Sequence, residues 1–169
     1  MRLLTFEHQG QRRIGARTSN GIVDLSQADP SIPAQMKDFL AGGEASLKAA
    51  RSASETTEHV LSESEIHVCA PISNPEKVIC IGLNYADHAA ESGMPIPEEP
   101  VVFSKYASAI IGSGDTIVAP SVSQQVDYEV ELVVVIGTSG RNIAREDAMA
   151  HVAGYTVGHD VSARDYQLE

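Results

Sequence analysis

The stretch 125–136, QVDYEVELVVVI, limits the possible folds more than any other part of the chain. It alternates in character and then becomes wholly apolar, which is the pattern of a strand entering a covered sheet. Alternate side chains of a strand share a face, so Asp127, Glu129 and Glu131 project one way while Tyr128, Val130 and Leu132 project the other. Neighbouring carboxylates on such a face stand about 6.5–7 Å apart at Cα. Their repulsion costs on the order of kcal/mol once water is partly excluded. Two arrangements relieve it. Glu129 and Glu131 can hold a hard cation such as Mg²⁺, Mn²⁺ or Ca²⁺, or the strand can present an acidic face to solvent.

The charge distribution sharpens that choice. The 169 residues carry 12 Lys plus Arg against 23 Asp plus Glu, a net of −11. Between residues 78 and 140 the only basic side chain is Lys105, so a carboxylate-rich region has few partners of its own. The acidic balance argues against phosphate-backbone recognition of nucleic acid. The longest apolar run, at 132–137, is far too short to cross a membrane. MRLLTFEHQGQRR lacks the apolar core of a secretory signal and runs directly into a strand pattern, unlike a mitochondrial presequence. Cys69 and Cys80 lie in strand-like apolar segments and read as two reduced core thiols. An intracellular setting, cytoplasmic or mitochondrial matrix, is expected.

The chain divides near residue 70. Residues 1–70 read as a small α+β unit, with strands over 2–7, 13–16 and 21–25 and helical pieces after Ser31-Ile32-Pro33. The polar segment 52–64 reads as a linker. Residues 71–169 are mainly strands and turns. Val78–Gly82 reads as a buried strand, 84–92 as a helix capped by Asn84, and 94–100 as an extended loop rich in proline. Strands are expected over 101–104, 116–119, 127–136 and 155–159, with a turn at 112–115 and a short helix at 146–153. The fold class is α+β, mainly β. The strands at 78–82, 132–137 and 155–159 read as apolar on both faces.

Two further segments carry chemically useful groups. In GLNYADHAAE, His88 and Glu91 stand three residues apart on one helical face. A carboxylate beside an imidazole fixes its tautomer and raises its basicity, as a general base requires; a surface His–Glu pair has the same spacing. In HDVSARDYQ, Asp160 follows an apolar strand and can add a third carboxylate, and Arg164 and Gln167 lie one helical turn apart. Gly112-Ser113-Gly114 is followed by Asp rather than a helix, so it reads as a turn and not a phosphate cradle.

Taken together and in order, GLNYADHAAE, FSK at 103–105, DYEVELVVVIG and GYTVGHDVSARDYQ resemble the fumarylacetoacetate hydrolase family. The resemblance implies a mixed β-roll preceded by a small α+β domain, with residues 71–169 forming the first part of the roll. It also implies a divalent cation, Mg²⁺ or else Mn²⁺ or Ca²⁺, held by Glu129, Glu131 and Asp160. It makes His88 and Glu91 the catalytic dyad. Tyr85, Lys105, Arg164 and Gln167 become substrate-binding groups. The implied substrates are small 1,3-dicarbonyl acids such as acylpyruvates, cleaved at a C–C bond, or oxaloacetate, decarboxylated. The cation would act as a Lewis acid on two substrate oxygens while His88 activates water. A homodimer is implied for the full-length form. Family members continue well past Gln167, so the chain is expected to be C-terminally truncated, with unpaired strand edges and little activity alone. The alternative reading is an inactive member that retains at most a partial metal site.

Overall fold

The computed structural model describes residues 1–167. β1 (Arg2–His8) and β2 (Gln11–Thr18) form an antiparallel hairpin. Its two turn residues, Gln9 and Gly10, are both left-handed (φ 52° and 73°), the twist that suits a two-residue hairpin. β3 (Gly21–Asp24) pairs with β2, β4 (Val60–Leu61) with β3, and β5 (His67–Cys69) with β1. The result is a five-stranded sheet in the order β4-β3-β2-β1-β5. Helices α1 (Leu25–Ala28), α2 (Met36–Ala41) and α3 (Gly43–Ala53) cover it. Ile14, Ala16, Val23 and Leu25 bury against Ile32, Met36, Phe39 and Ala50, and each large apolar side chain so buried contributes roughly 1.5–3 kcal/mol. Asp24, almost fully buried, caps α1 by accepting the Gln27 N–H and also accepts Arg13 Nε at 2.6 Å.

The segment 52–64 is more than a linker. α3 runs to Ala53, and Val60–Leu61 closes the open edge of β3, with Ile22 opposite Leu61 and Val23 opposite Val60. A capping box at Ser62 and Glu65 follows. Edge pairing of this kind is a tertiary event that a polar local composition hides.

The second part is built from antiparallel ribbons. β6 (Val78–Gly82) pairs with β7 (Val101–Lys105), and α4 (Ala86–Glu91) lies between them in sequence. β8 (Val126–Asp127) pairs with β11 (Ser162–Ala163), and β9 (Val130–Ile136) with β10 (Val152–His159). α5 (Arg164–Gln167) follows β11. Loops of this second part are tied to the five-stranded sheet by Thr5 Oγ1 donating to the Pro71 carbonyl and by a His67–Asp115 side-chain contact at 3.0 Å.

Several expectations change. The strand expected over 127–136 breaks after Asp127, where the Tyr128 N–H turns back to the Asp127 carboxylate. Residues 116–119 form no strand; they run into Pro120 and have no pairing partner among the described residues. The helix expected at 146–153 is a 3₁₀ segment, Arg145–His151. Tyr85, not Asn84, occupies the N-cap of α4, and no side chain caps it. The strands read as buried on both faces are each exposed on one. Ile79, Ile81, Val130, Leu132, Ile136, Tyr155 and Val157 all lie open to solvent, because no further layer covers those faces among the described residues.

Candidate metal centre and its cationic neighbours

The antiparallel register assembles the acidic face. Asp127 stands opposite Ser162 and Glu131 opposite Gly158, while the Asp160 N–H donates to the Glu129 carbonyl at 2.9 Å. Cross-strand partners project to the same side, so Asp127, Glu129, Glu131 and Asp160 share one face of the ribbon. That face is half-buried, whereas Tyr128, Val130 and Leu132 on the other are exposed. The alternation is present in the structure: of the two arrangements open to it, the carboxylates face the molecule while Tyr128, Val130 and Leu132 face water.

Two cations meet these carboxylates. Arg164 donates Nε to Asp127 at 2.9 Å, Nη2 to Glu129 at 2.5 Å and Nη1 to Gln167 at 2.7 Å. The Arg164 fork holds the Asp127 carboxyl below the usual carboxylate range, helped by the Tyr128 N–H. Burial pulls the guanidinium down, but its hydrogen bonds to Asp127 and Glu129 outweigh this and raise it. Lys105, at the end of β7, forms an ion pair with Asp160 and donates to the Val161 carbonyl at 3.4 Å. Asp160 Oδ1 is the buried oxygen that this ammonium contacts.

Cys80, in the middle of β6, joins this neighbourhood, which its segment gave no reason to expect. Its thiol is pushed up first by burial and then by the negative charge of Asp160, with Glu131 and Glu129 adding and Lys105 opposing. Neither cysteine is in a disulfide.

The strand-to-helix junction carries the remaining groups. Leu83 turns the chain from β6 toward α4 with φ 50°, a left-handed conformation that costs a leucine about 1 kcal/mol or more. Tyr85 spends its hydroxyl on accepting the Leu132 N–H at 3.0 Å, which ties the start of α4 to β9. His88 is half-buried and lies within electrostatic reach of Asp127. Among the described residues no ion pair or side-chain hydrogen bond joins His88 to Glu91, which is exposed. A groove of about 340 Å³ passes Leu83, Asn84, Ile96 and Val101, and none of the carboxylates above lines it.

The donor chemistry fits a hard divalent cation: Glu129, Glu131 and Asp160 offer three carboxylates on one face. Among the described residues, however, no three His, Cys, Asp or Glu side chains converge into a ready coordination sphere. Arg164 draws Glu129 aside and Lys105 holds Asp160.

Residues 77–169 match the family model described as fumarylacetoacetate (FAA) hydrolase C-terminal. The chain is 51% identical, over its whole length, to the oxaloacetate tautomerase fahd2, mitochondrial, of Xenopus laevis, and covers 54% of that protein. It is 49% identical over 99% of its length to the human oxaloacetate tautomerase FAHD2A, mitochondrial, covering 55% of it. The chain thus spans about half the length of the curated relatives it matches. Among solved structures it resembles maleylpyruvate hydrolase from Sphingobium sp. SYK-6, in complex with manganese(II) and pyruvate. That likeness has a TM-score of 0.79 at 28% identity, over 97% of this chain and 60% of that one. It also resembles fumarylacetoacetate hydrolase from Exiguobacterium antarcticum, with a TM-score of 0.74 at 31% identity, over 98% and 57%. The α+β fold, mainly β, is shared with these solved structures, and the chain belongs to the fumarylacetoacetate hydrolase family.

Proposed function

We propose that this chain supplies the metal-binding part of an enzyme that acts on small 2-oxo dicarboxylic acids of the oxaloacetate type. The observation that carries the reading is the shared face of Glu129, Glu131 and Asp160, with Arg164 and Lys105 lying against it. Glu129, Glu131 and Asp160 would hold the cation, Mg²⁺ or Mn²⁺. When bound, it would act as a Lewis acid and make the carbon–hydrogen bond beside the substrate's carbonyl more acidic. His88 is assigned as the base, and Glu91 lies one turn further along α4. His88 takes a proton from the carbon between the two acid functions, and a proton returns to the carbonyl oxygen, so the net change is keto to enol. Arg164 and Gln167 orient a substrate carboxylate, with Lys105 offering a second cation. Tyr85 positions α4 through Leu132 rather than touching substrate. Residues 1–70 act as a supporting domain and 71–169 as the catalytic part, in an assembly of two copies. The mitochondrial location in the relatives' names is compatible with two free thiols in a reducing compartment.

A second reading, C–C bond hydrolysis, is favoured by the neighbour that holds manganese and pyruvate. There His88 would activate water instead of the substrate carbon.

The test is calorimetric binding of Mn²⁺ to the chain and to Glu131→Gln, followed by assays with oxaloacetate and an acylpyruvate. The expected result is at least a tenfold loss of Mn²⁺ affinity in the variant and Mn²⁺-dependent enolisation of oxaloacetate. Equal affinity in both proteins sinks the metal assignment. Cleavage of the acylpyruvate with no effect on oxaloacetate selects the hydrolytic reading.

A further inference from the structure

We propose that Asp127 is a positioning residue that fixes the Arg164 guanidinium for a substrate carboxylate; this rests on the reading of Arg164 as a substrate-binding group. A guanidinium has five N–H donors in one plane. In Arg164 three are committed: Nε to Asp127, one Nη2 donor to Glu129 and one Nη1 donor to Gln167. Two N–H groups remain for a ligand, one on each terminal nitrogen. Such a pair suits the bidentate capture of a carboxylate only if the plane is held still.

Two points define a line, and three fix a plane. Glu129 alone would let the group pivot about a single contact, and Glu129 has a competing duty as a cation ligand. Gln167 grips the other terminal nitrogen, but it is exposed and neutral. Asp127 is the charged anchor without a competing assignment. Its grip is built into the backbone, since the Arg164 N–H donates to the Gln125 carbonyl at 2.9 Å and Asp127 faces Ser162 in the β8–β11 register. The arginine side chain is only 20% exposed, so the pairing is partly shielded from water. Asp127 therefore acts through Arg164 and not on the substrate.

The experiment uses the full chain and oxalate, a planar dicarboxylate, as probe. First, hydrogen exchange at the Arg164 Nε–H is followed by NMR, the resonance being assigned by its loss in Arg164→Lys. Asp127→Ala should speed this exchange at least tenfold, and Asp127→Asn, which keeps an acceptor oxygen, should do so less. Unchanged exchange in both variants overturns the proposal, and if Asp127→Ala fails to fold, Asp127→Asn alone decides. Second, oxalate binding to the Mn²⁺-loaded chain is measured for Asp127→Asn, Arg164→Met and the double variant. Each single change should weaken oxalate about tenfold, and the double change no further than the worse single one. Additive losses show that Asp127 acts as an independent charge and overturn the proposal. In a Lys105→Met background the Asp127→Asn loss should persist in full; its disappearance would assign the effect to Lys105 and also overturn it. Should the unaltered Mn²⁺-loaded chain not bind oxalate, the reading of function fails, and the Nε–H exchange still decides whether Asp127 holds Arg164.

Discussion

Asp165 clasps two segments that lie far apart in sequence, accepting Ser123 Oγ at 2.7 Å and the Gln124 N–H at 2.9 Å. The Gln124 amide, and then the Ser123 hydroxyl, hold its carboxyl below the usual aspartate value. A carboxylate depressed in the folded state contributes stability that is complete above its unfolded value, about 3.9, and is lost as pH falls through the lower folded value. The amide of Gln124 should therefore stay protected down to about pH 4 and lose protection below it. Asp165→Asn should abolish that pH dependence, as read by amide hydrogen exchange. Protection that does not change between about pH 5 and pH 3 would refute the clasp. Tyr85→Phe makes a second test at this scale. It leaves the Leu132 N–H without its acceptor, at a cost of about 1 kcal/mol in thermal or denaturant unfolding. It should also reduce turnover through loosened placement of His88, while oxalate affinity changes little. Glu129, Glu131, His88 and Arg164 were legible in the sequence because spacing places chemistry on a face. The service of Asp127 to Arg164, and of Asp165 to Ser123, was not, since each joins residues more than thirty positions apart.

At the scale of elements, the β9–β10 ribbon decides whether the acidic face works. Gly158 stands opposite Glu131, and a Cβ there would come within 2.7 Å of Val133 Cγ2. A branched valine methyl cannot retreat as a long flexible chain does. Gly158→Val should therefore part the strands beside Glu131 and cost about 1–3 kcal/mol of stability. Mn²⁺ affinity should fall with it, whereas Gly154→Ala, which meets nothing within 4 Å, should leave both unchanged. Calorimetry and thermal unfolding on the two variants check this, and equal behaviour would remove Gly158 from the account. The strands themselves were readable from alternation and apolar runs. Which face of β9 is covered was not, because alternation gives two equivalent faces and only a packed neighbour distinguishes them.

Across the whole molecule, apolar surface is unevenly satisfied. The N-terminal sheet buries Phe6, Ile14, Ile22, Val23, Leu25 and Phe39 completely. The outer face of β9 and β10 leaves Val130 72%, Leu132 62%, Ile136 63% and Val157 75% exposed. Leu132 and Val157 stand opposite each other on that face, and exposed apolar side chains grouped in this way favour association, so the 169-residue chain should self-associate with rising concentration. Size-exclusion chromatography with light scattering should show mass growing with concentration, and Leu132→Lys with Val157→Lys should suppress the growth. A monomer at every concentration would overturn the prediction.

Sequence alone determined the alternation that gathers Asp127, Glu129 and Glu131, the i, i+3 placement of His88 and Glu91, the hairpin turns and the amphipathic helices of the first fifty residues. Each is a matter of backbone period or of a residue's own conformational preference, and these act over a few positions. Only the tertiary structure decided that Val60–Leu61 closes a sheet, that Cys80 comes within electrostatic reach of Asp160, and that Arg164 and Lys105 divide Asp127, Glu129 and Asp160 between them. Those outcomes depend on strand register and on charges brought within a few ångströms from distant segments. A shift of one residue in either ribbon would turn every carboxylate to the opposite face, and no local pattern encodes that register.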